Sequence, residues 1–180
     1  IQTEFGFDVL PANRELAGAE VELIDLGERE YRLKNALQAG HAVYDFILID
    51  CPPALNMLTV NGLVAADSVL IPMQCEYYAL EGLSDLVETL RKVRTHLNSR
   101  LEIEGLLRTM YNPQSTLTQQ VSAELASHFG SKVYQTIVPR NVRLAEAPSY
   151  GKPVIAFDKS SKGAQAYSAL AKEILERVAK

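Results

Sequence analysis

The feature that most constrains the fold of this 180-residue chain is a set of short, continuously apolar runs. A strand that is covered on both faces has no polar alternation, and this is typical of a parallel sheet packed between helices. In chain order the runs are Tyr44–Asp50, Ser68–Met73, Ile103–Met110 and Val133–Val138, with Phe7–Pro11 as a further candidate. They predict the strands of an α/β protein.

Stretches with helical periodicity lie between these runs. The predicted helices cover residues 28–39, a segment around the apolar stripe from Leu83 to Val93, residues 117–129, and a last segment from about Gly163 to Val178. Alternating strands and helices predict a doubly wound, mostly parallel sheet flanked by helices. Residues 1–180 contain no repeat or convincing linker, and they lack a starting Met. We therefore expect one domain that is incomplete at its N-terminus.

Composition excludes several classes of protein. With 47% hydrophobic and 22% charged residues the chain is neither disordered nor membrane-like, and no apolar run approaches the ~20 residues that span a bilayer. Cys51 and Cys75 form no CxxC pair, and His41, His96 and His128 lack the spacing of metal ligands. We therefore expect a reducing cytoplasm and neither a disulfide framework nor a zinc site.

Charge is distributed unevenly along the chain. Residues 1–131 contain nine basic and eighteen acidic side chains, whereas residues 132–180 contain nine basic and four acidic ones. Such asymmetry is typical of a surface that meets an anionic partner. A solvated surface of uneven charge without a partner is the alternative.

Ligands of open α/β sheets bind at the carboxyl ends of the strands, so the residues that follow each run are the candidates. Asp50 begins an Asp-Cys-Pro-Pro sequence, and a carboxylate there can hold Mg²⁺ through a water or cap the following helix. Tyr77 and Tyr78 follow the second run, where they either stack on a base or partner or are half-buried packing residues. Asn112 follows the third run.

The segment after the fourth run is rich in cations. Asn141 is expected to cap a helical turn that lets Arg140 and Arg143 reach the same side. Three lysines follow in two nearby loops: Lys152, Lys159 and Lys162. These five cations, free of an acidic run, suit contact with phosphates irrespective of sequence.

Four strings resemble the ParA/Soj family of partition ATPases, and they occur in the family's order. They are DCPPALNMLTVNGL, IPMQCEYYALEGL, IVPRNVRLAEAPSYGKP and FDKSSKGAQAY, and the similarity extends over essentially all 180 residues. The resemblance implies a P-loop NTPase fold of the deviant Walker A type, with ATP and Mg²⁺ as cofactors. It also implies ATP hydrolysis in chromosome or plasmid partition.

The resemblance also implies roles for single residues. Asp50 matches the catalytic acid on the magnesium and attacking-water side, and the stretch from Asp50 to Asn61 matches a switch that senses the γ-phosphate. The residues that match the nucleotide-binding set, on the adenine side, are Asn112, Pro139, Arg140 and Asn141. The residues that match DNA-backbone contacts are Arg140, Arg143, Lys159 and Lys162.

The partners that the resemblance implies are a second copy of the chain, paired in the presence of ATP, non-specific DNA, and a ParB-like centromere-binding protein. A cytoplasmic, nucleoid-associated location follows, without membrane binding. Two departures from the family pattern are visible. No Gly-Lys-Ser/Thr loop occurs in the sequence, so this chain alone is not expected to hydrolyse ATP. The Asn112–Ser115 loop is neutral where relatives carry a basic residue.

Three alternatives stay open at this stage. A MinD-like cell-division ATPase would bind membranes through a C-terminal amphipathic helix, but the last helix here carries acids on its polar face. An iron protein similar to those of nitrogenase would use a cysteine such as Cys51 to hold a cluster. A non-enzymatic scaffold is the expectation if no phosphate-binding loop precedes Ile1.

Overall fold

The computed structural model of the chain describes residues 1–38, 43–52 and 54–179. Ala39 at the end of a predicted helix, His41 among the scattered histidines and Pro53 in the predicted switch lie outside the described residues. The chain divides into two compact units, of which the first contains residues 1–69 and 87–102. The second contains residues 70–86 and 103–180.

Strands and helices alternate from Ser68 to Pro139, as the pattern of apolar runs predicts. The α-helices are α1 (Ala19–Leu23), α2 (Arg32–Gln38), α3 (Met57–Ala65), α4 (Tyr77–His96), α5 (Thr116–Phe129), α6 (Val142–Glu146), α7 (Val154–Phe157) and α8 (Lys162–Val178). The strands are β1 (Ser68–Gln74), β2 (Glu102–Tyr111) and β3 (Val133–Pro139). Short 3₁₀ turns cover Arg14–Gly18, Arg29–Tyr31, Gly130–Lys132 and Ala147–Tyr150. None of the described helices combines the length and the apolarity that crossing a membrane requires.

The three strands form one sheet in the order β1-β2-β3. β2 and β3 run parallel, and Tyr111 at the end of β2 is paired with Pro139 at the end of β3. Helices α4 and α5 connect successive strands, as in βαβ units. The predicted α/β class with a parallel sheet flanked by helices is therefore confirmed.

In the first unit, two buried asparagines connect helices that are distant in sequence. Asn61 in α3 accepts a hydrogen bond from the backbone N–H of Leu33 at 3.1 Å and donates one to the carbonyl of Arg29 at 2.9 Å. Asn98 donates to the carbonyls of Leu63 and Ala66 at 3.1 and 2.8 Å, at the C-terminal end of α3. Because a buried amide without partners is costly, these bonds determine how α3 is held within this unit.

The second unit has its core between β2, β3 and α8. The buried members of one cluster are Leu107, Tyr134, Val138 and Leu170. Gly105 lies so close to Tyr134 that a Cβ atom at this position would come within 2.6 Å of the ring. A side chain on residue 105 would therefore displace the fully buried tyrosine.

The ion pair of Glu173 and Arg177 on α8 stabilises the packing of this helix against β3. The carboxylate of Glu173 accepts hydrogen bonds from the backbone N–H groups of Gln135 and Thr136, both at 2.8 Å, and from Arg177 at 2.9 Å. The guanidinium of Arg177 also lies 3.9 Å from the centre of the Tyr134 ring. Burial raises the pKa of Glu173, but the hydrogen bonds from Thr136, Gln135 and Arg177 outweigh burial and lower the pKa to about 2.

We expect Glu173→Gln to lower the free energy of unfolding by about 2 kcal/mol at pH 7, because a charged acceptor of three hydrogen bonds is lost. The folded-state pKa is below that of the unfolded chain, so this stabilisation is present above about pH 4.5 and is lost as the pH falls towards 2. Urea unfolding at pH 7 and pH 3 measures the difference. Glu176→Gln on the same helix is the control, since Glu176 is mostly exposed and its ion pair with Lys172, at 3.9 Å, is long. Equal effects of the two substitutions at pH 7 would contradict the prediction.

Two predicted strands are absent from the described sheet. The prediction of a strand over Tyr44–Asp50 is wrong, since these residues are irregular and exposed, and Leu48 is 92% exposed. An apolar run becomes a strand only when a neighbouring backbone offers hydrogen bonds, and no strand of the described residues pairs with this run. Residues 7–11 form no strand either. The backbone near Asp8 forms an antiparallel bridge with Gln2 instead.

Candidate functional site

Asp50 lies in the first unit, in an exposed segment that follows the irregular apolar run. Within the described part of the chain its carboxylate has no hydrogen-bond or ion-pair partner, so it is free to hold a water or a hydrated cation. No group of three or more His, Cys, Asp or Glu side chains that could hold a metal occurs among the described residues. A single carboxylate nevertheless fits Mg²⁺, which keeps several waters and takes its other ligands from phosphates.

Cys51 fixes the position of the Asp50 segment against α3. Its Sγ atom lies 2.8 Å from where a Cβ atom on Gly62 would stand, so only glycine at residue 62 permits this approach. Burial, with a smaller contribution from the charge of Asp50, raises the pKa of the Cys51 thiol. The close approach of the Sγ atom to Gly62 is the observation that favours a packing role over a cluster ligand.

The stretch from Asp50 to Asn61, predicted to be a switch, has two parts of different character. The described residues up to Leu55 lie outside any helix and are exposed. Asn56 then caps α3 by accepting a hydrogen bond from the N–H of Thr59 at 2.9 Å, and the Thr59 hydroxyl donates to the carbonyl of Ala54 at 2.7 Å. Any rearrangement of the stretch without unfolding of α3 is therefore restricted to the residues before Asn56.

In the second unit, the structure brings the carboxyl ends of β2 and β3 together. The backbone N–H of Arg140 donates to the carbonyl of Tyr111 at 3.4 Å, which makes Asn112 and Arg140 neighbours at the sheet edge. Asn112 accepts a hydrogen bond from the N–H of Gln114 at 3.1 Å, so its carbonyl oxygen stabilises the turn before α5. Its amide NH₂ has no acceptor among the described residues.

Met110 has a left-handed backbone with φ of 49°, which is rare for a residue with a side chain. It coincides with an irregularity in the pairing of β2 with β3, just before the sheet edge. Strained backbone of this kind is concentrated at functional sites. No sequence signal identified this residue, because methionine has no preference for that conformation.

Asn141 caps α6, as predicted, and its side-chain oxygen accepts a hydrogen bond from the N–H of Arg143 at 3.1 Å. Arg143 is half exposed, and its Nη1 atom donates to Glu146 at 2.8 Å while its Nε atom lies 3.3 Å from Asp158. The hydrogen bond and charge of Glu146, with a smaller contribution from Asp158, raise the pKa of Arg143. Neither acid was identified from the sequence as a partner of Arg143, although the i,i+3 spacing of Arg143 and Glu146 was a visible signal.

The remaining predicted cations are exposed. Among the described residues, no acid forms an ion pair with Arg140, Lys159 or Lys162. Lys159 lies on the turn before α8, and Lys162 is the first residue of that helix. In this turn Asp158 accepts hydrogen bonds from the hydroxyl and the N–H of Ser160 at 2.7 and 3.1 Å. These bonds, first that of the Ser160 hydroxyl, lower the pKa of Asp158. Through Asp158 the structure brings Arg143 next to the Lys159–Lys162 turn.

Tyr77 and Tyr78 lie in the first turn of α4 and not in a loop. They are 71% and 78% exposed, so the prediction that they are half-buried packing residues is wrong. Their rings meet edge to face at 5.4 Å. Tyr77 also lines a cavity of about 580 Å³ together with Leu117 of α5.

Comparison with known proteins gives matches over most of the chain. A family model described as an AAA domain matches residues 2–103. The sporulation initiation inhibitor protein Soj of Bacillus subtilis is 57% identical over 93% of this chain and 66% of its own length. The chromosome partitioning protein ParA of Caulobacter vibrioides is 50% identical over 98% of this chain and 67% of its own length.

A solved structure is similar over the whole chain. Cobyrinic acid a,c-diamide synthase from Mycobacterium smegmatis, with bound ATP analog and magnesium, aligns with a TM-score of 0.82 and 35% identity. The alignment covers 100% of this chain and 66% of that one. The chain spans 60–68% of the length of these curated relatives.

Proposed function

Because the chain belongs to the ParA/Soj family of chromosome-partitioning P-loop ATPases, we propose that it serves ATP-dependent DNA partition, pairing with a second copy when ATP is bound and binding DNA non-specifically. The observation that carries this proposal is the continuity between two sets of residues. The Pro139–Asn141 loop at the sheet edge leads directly into α6, and Asp158 connects Arg143 of this helix to the turn that carries Lys159 and Lys162. A nucleotide bound at the Pro139–Asn141 loop and a DNA backbone bound at the cations would thus contact neighbouring parts of the same region of the chain.

The domain that hydrolyses ATP extends beyond this chain in our proposal. The sequence contains no Gly-Lys-Ser/Thr loop, and the match with ParA of Caulobacter vibrioides covers 67% of that relative's length. The run from Tyr44 to Ile49 is exposed, and a contiguous exposed apolar run marks a surface that is normally covered. Residues 1–180 are then the C-terminal part of a single ATPase domain, and a phosphate-binding loop ahead of Ile1 completes the sheet and the site.

In the complete site, Asp50 would hold a water on the side of the magnesium ion, and the loop from Pro139 to Asn141, together with Asn112, would bind the adenine. Bound Mg²⁺ supplies positive charge that stabilises the phosphates during transfer to water. The free carboxylate of Asp50 would order the attacking water. The described residues between Asp50 and Asn56 are exposed and lie outside α3, which suits a sensor of the γ-phosphate. Catalysis of this kind depends mainly on positioning and charge.

Two further parts of the proposal concern partners and location. The protein would be cytoplasmic and associated with the nucleoid, and a ParB-like centromere-binding protein would stimulate its release from DNA. A MinD-like role on membranes is less well supported. Leu170 of α8 is buried in the core of the second unit and Ile174 packs against it, so this helix is not a free amphipathic anchor.

The test is retention of the full-length protein on a non-specific DNA duplex with ATP, with ADP and without nucleotide. Retention that requires ATP supports the proposal. Equal retention in the three conditions, or none in any of them, would contradict it. Sedimentation with anionic lipid vesicles in the presence of ATP tests the MinD-like alternative. A MinD-like protein would pellet with the vesicles, whereas a partition ATPase would stay in the supernatant.

We also expect DNA binding to weaken roughly tenfold when the salt concentration is doubled from 50 to 100 mM. About four phosphate contacts per subunit, from Arg140, Arg143, Lys159 and Lys162, would each release a counterion, and log K falls by ~0.9 per contact and decade of salt. Fluorescence anisotropy of a labelled duplex over a salt series measures the slope. A slope near zero would be incompatible with binding through these cations.

A further inference from the structure

The carboxylate of Asp158 is shared between two elements that each carry predicted DNA-binding cations. Its Oδ2 atom lies 3.3 Å from Nε of Arg143 on α6. Its Oδ1 atom accepts hydrogen bonds from the N–H and the hydroxyl of Ser160, at 3.1 and 2.7 Å. Ser160 follows Lys159 in the turn that leads into α8, whose first residue is Lys162. The Asp158 side chain thus orients the guanidinium of Arg143 and also shapes the turn beside which the two lysines lie.

We propose that Asp158 is a positioning residue that assembles Arg143, Lys159 and Lys162 into one phosphate-binding surface. This inference rests on the proposed function, since it concerns the same DNA-binding surface. Asp158 is an acid, and its charge alone opposes binding of DNA. In this proposal its net effect is to promote binding of DNA.

The surroundings of the turn make it a defined structure and not a loose loop. The backbone carbonyl of Asp158 accepts hydrogen bonds from the N–H and the hydroxyl of Ser161, at 3.1 and 2.8 Å. The Ser161 hydroxyl oxygen in turn caps α8 by accepting a hydrogen bond from the N–H of Ala164 at 3.1 Å. At Gly163 a Cβ atom would come within 2.5 Å of Leu144, so the start of α8 packs closely on α6. The lysines on the turn therefore stay near Arg143.

Arg143 keeps donors for a phosphate despite its two acidic partners. A guanidinium has five N–H donors, and Asp158 lies at Nε while Glu146 accepts from Nη1. Among the described residues no acceptor takes a proton of Nη2, and the side chain is 51% exposed. The ring of Phe157 lies 6.0 Å from the guanidinium and stacks on Tyr150 at 4.9 Å. The acids thus hold the guanidinium in one place while part of it stays accessible.

Electrostatics alone and positioning make opposite predictions for the loss of Asp158. Removal of a negative charge beside a DNA-binding surface strengthens binding if charge is all that matters. If Asp158 positions the cations, its removal weakens binding. In the variant, Arg143 and the two lysines would have to be ordered when DNA binds, and this ordering costs conformational entropy. In the unmodified protein that entropy is already lost on folding.

The experiment compares three variants of the full-length, ATP-bound protein that each lose one negative charge. Asp158→Ala loses the contacts to Arg143 and to Ser160, and we expect roughly tenfold weaker DNA binding with a salt slope smaller by about two contacts. Asp158→Asn keeps an oxygen for Ser160 but not the charge for Arg143, and we expect roughly threefold weaker binding with a slope smaller by about one. Glu176→Gln, on helix α8, leaves the contacts of Arg143 and of Ser160 in place, and we expect binding at least as tight as in the unmodified protein.

Salt series of DNA binding by fluorescence anisotropy, with ATP binding measured on the same samples, give the result. The order Glu176→Gln, Asp158→Asn, Asp158→Ala in decreasing affinity supports the inference. Equal or tighter binding by both Asp158 variants at an unchanged salt slope would overturn it, even if Asp158→Ala folds poorly, because the asparagine variant still decides. Absence of DNA binding by the unmodified protein would overturn the proposed function and this inference together.

Discussion

Replacement of Asp50 by alanine in the full-length protein is expected to lower the rate of ATP hydrolysis roughly 100-fold or more, while ATP still binds. The carboxylate of Asp50 is exposed and has no partner among the described residues, so its loss removes no contact that holds the fold. What is lost in our proposal is the group that orders water beside the magnesium ion. Phosphate release under saturating ATP, together with binding of a fluorescent ATP analogue, measures both parts.

Asp67→Ala is the matched control for this prediction. Asp67 is also an exposed acid of the first unit, but it precedes β1 and so lies at the opposite end of the strand from the expected ligand edge. We expect hydrolysis by the control to stay within about twofold of the unmodified protein, as for a surface substitution. Hydrolysis by Asp50→Ala at a similar level would show that Asp50 is a structural residue and not part of the site.

Replacement of Arg143 by glutamate is expected to weaken DNA binding roughly 50-fold at low salt and to leave ATP binding unchanged. The substitution removes a phosphate contact and places a third negative charge beside Glu146 and Asp158, which now hold the guanidinium at 2.8 and 3.3 Å. Repulsion among these groups would also separate α6 from the Lys159–Lys162 turn. Anisotropy of a labelled duplex in the presence of ATP measures the loss.

Arg91→Glu makes the same change in net charge at a site that is not expected to bind DNA. Arg91 on α4 is 74% exposed and its nearest acid, Glu88, is 3.8 Å away, so little packing is lost. We expect this control to reduce DNA binding by less than about threefold through long-range charge. Equal losses for Arg91→Glu and Arg143→Glu would mean that net charge and not a defined surface governs binding.

The strands and the three longest helices from residue 68 onward follow closely from the sequence, whereas α3 (Met57–Ala65) was not predicted. The runs at Ser68, Ile103 and Val133 form the three strands, and their ends agree with the prediction within one residue. The helical stripe from Leu83 to Val93 lies within α4. This helix begins before the stripe, at Tyr77. Continuous apolar runs and helical periodicity are local properties of the sequence, so they can be recognised without knowledge of the fold.

The candidate site was only partly predictable. The cap that Asn141 provides for α6 is a local interaction, and the sequence sufficed to identify it. The left-handed backbone of Met110 had no signal, since it arises from an irregular pairing between two strands. The contact of Cys51 with Gly62 likewise depends on how a segment lies against a helix, which residue types alone do not determine.

The sequence by itself determined the α/β class, the three strands, the main helices and the family to which the chain belongs, because each depends on neighbouring residues or on several strings in order. Only the tertiary structure decided that the run Tyr44–Asp50 lacks a described partner strand and that Arg143 is held by Asp158. The physical reason is the same in both cases. A strand needs a second backbone, and an ion pair needs a second charge, so each depends on a partner from another element brought close by folding.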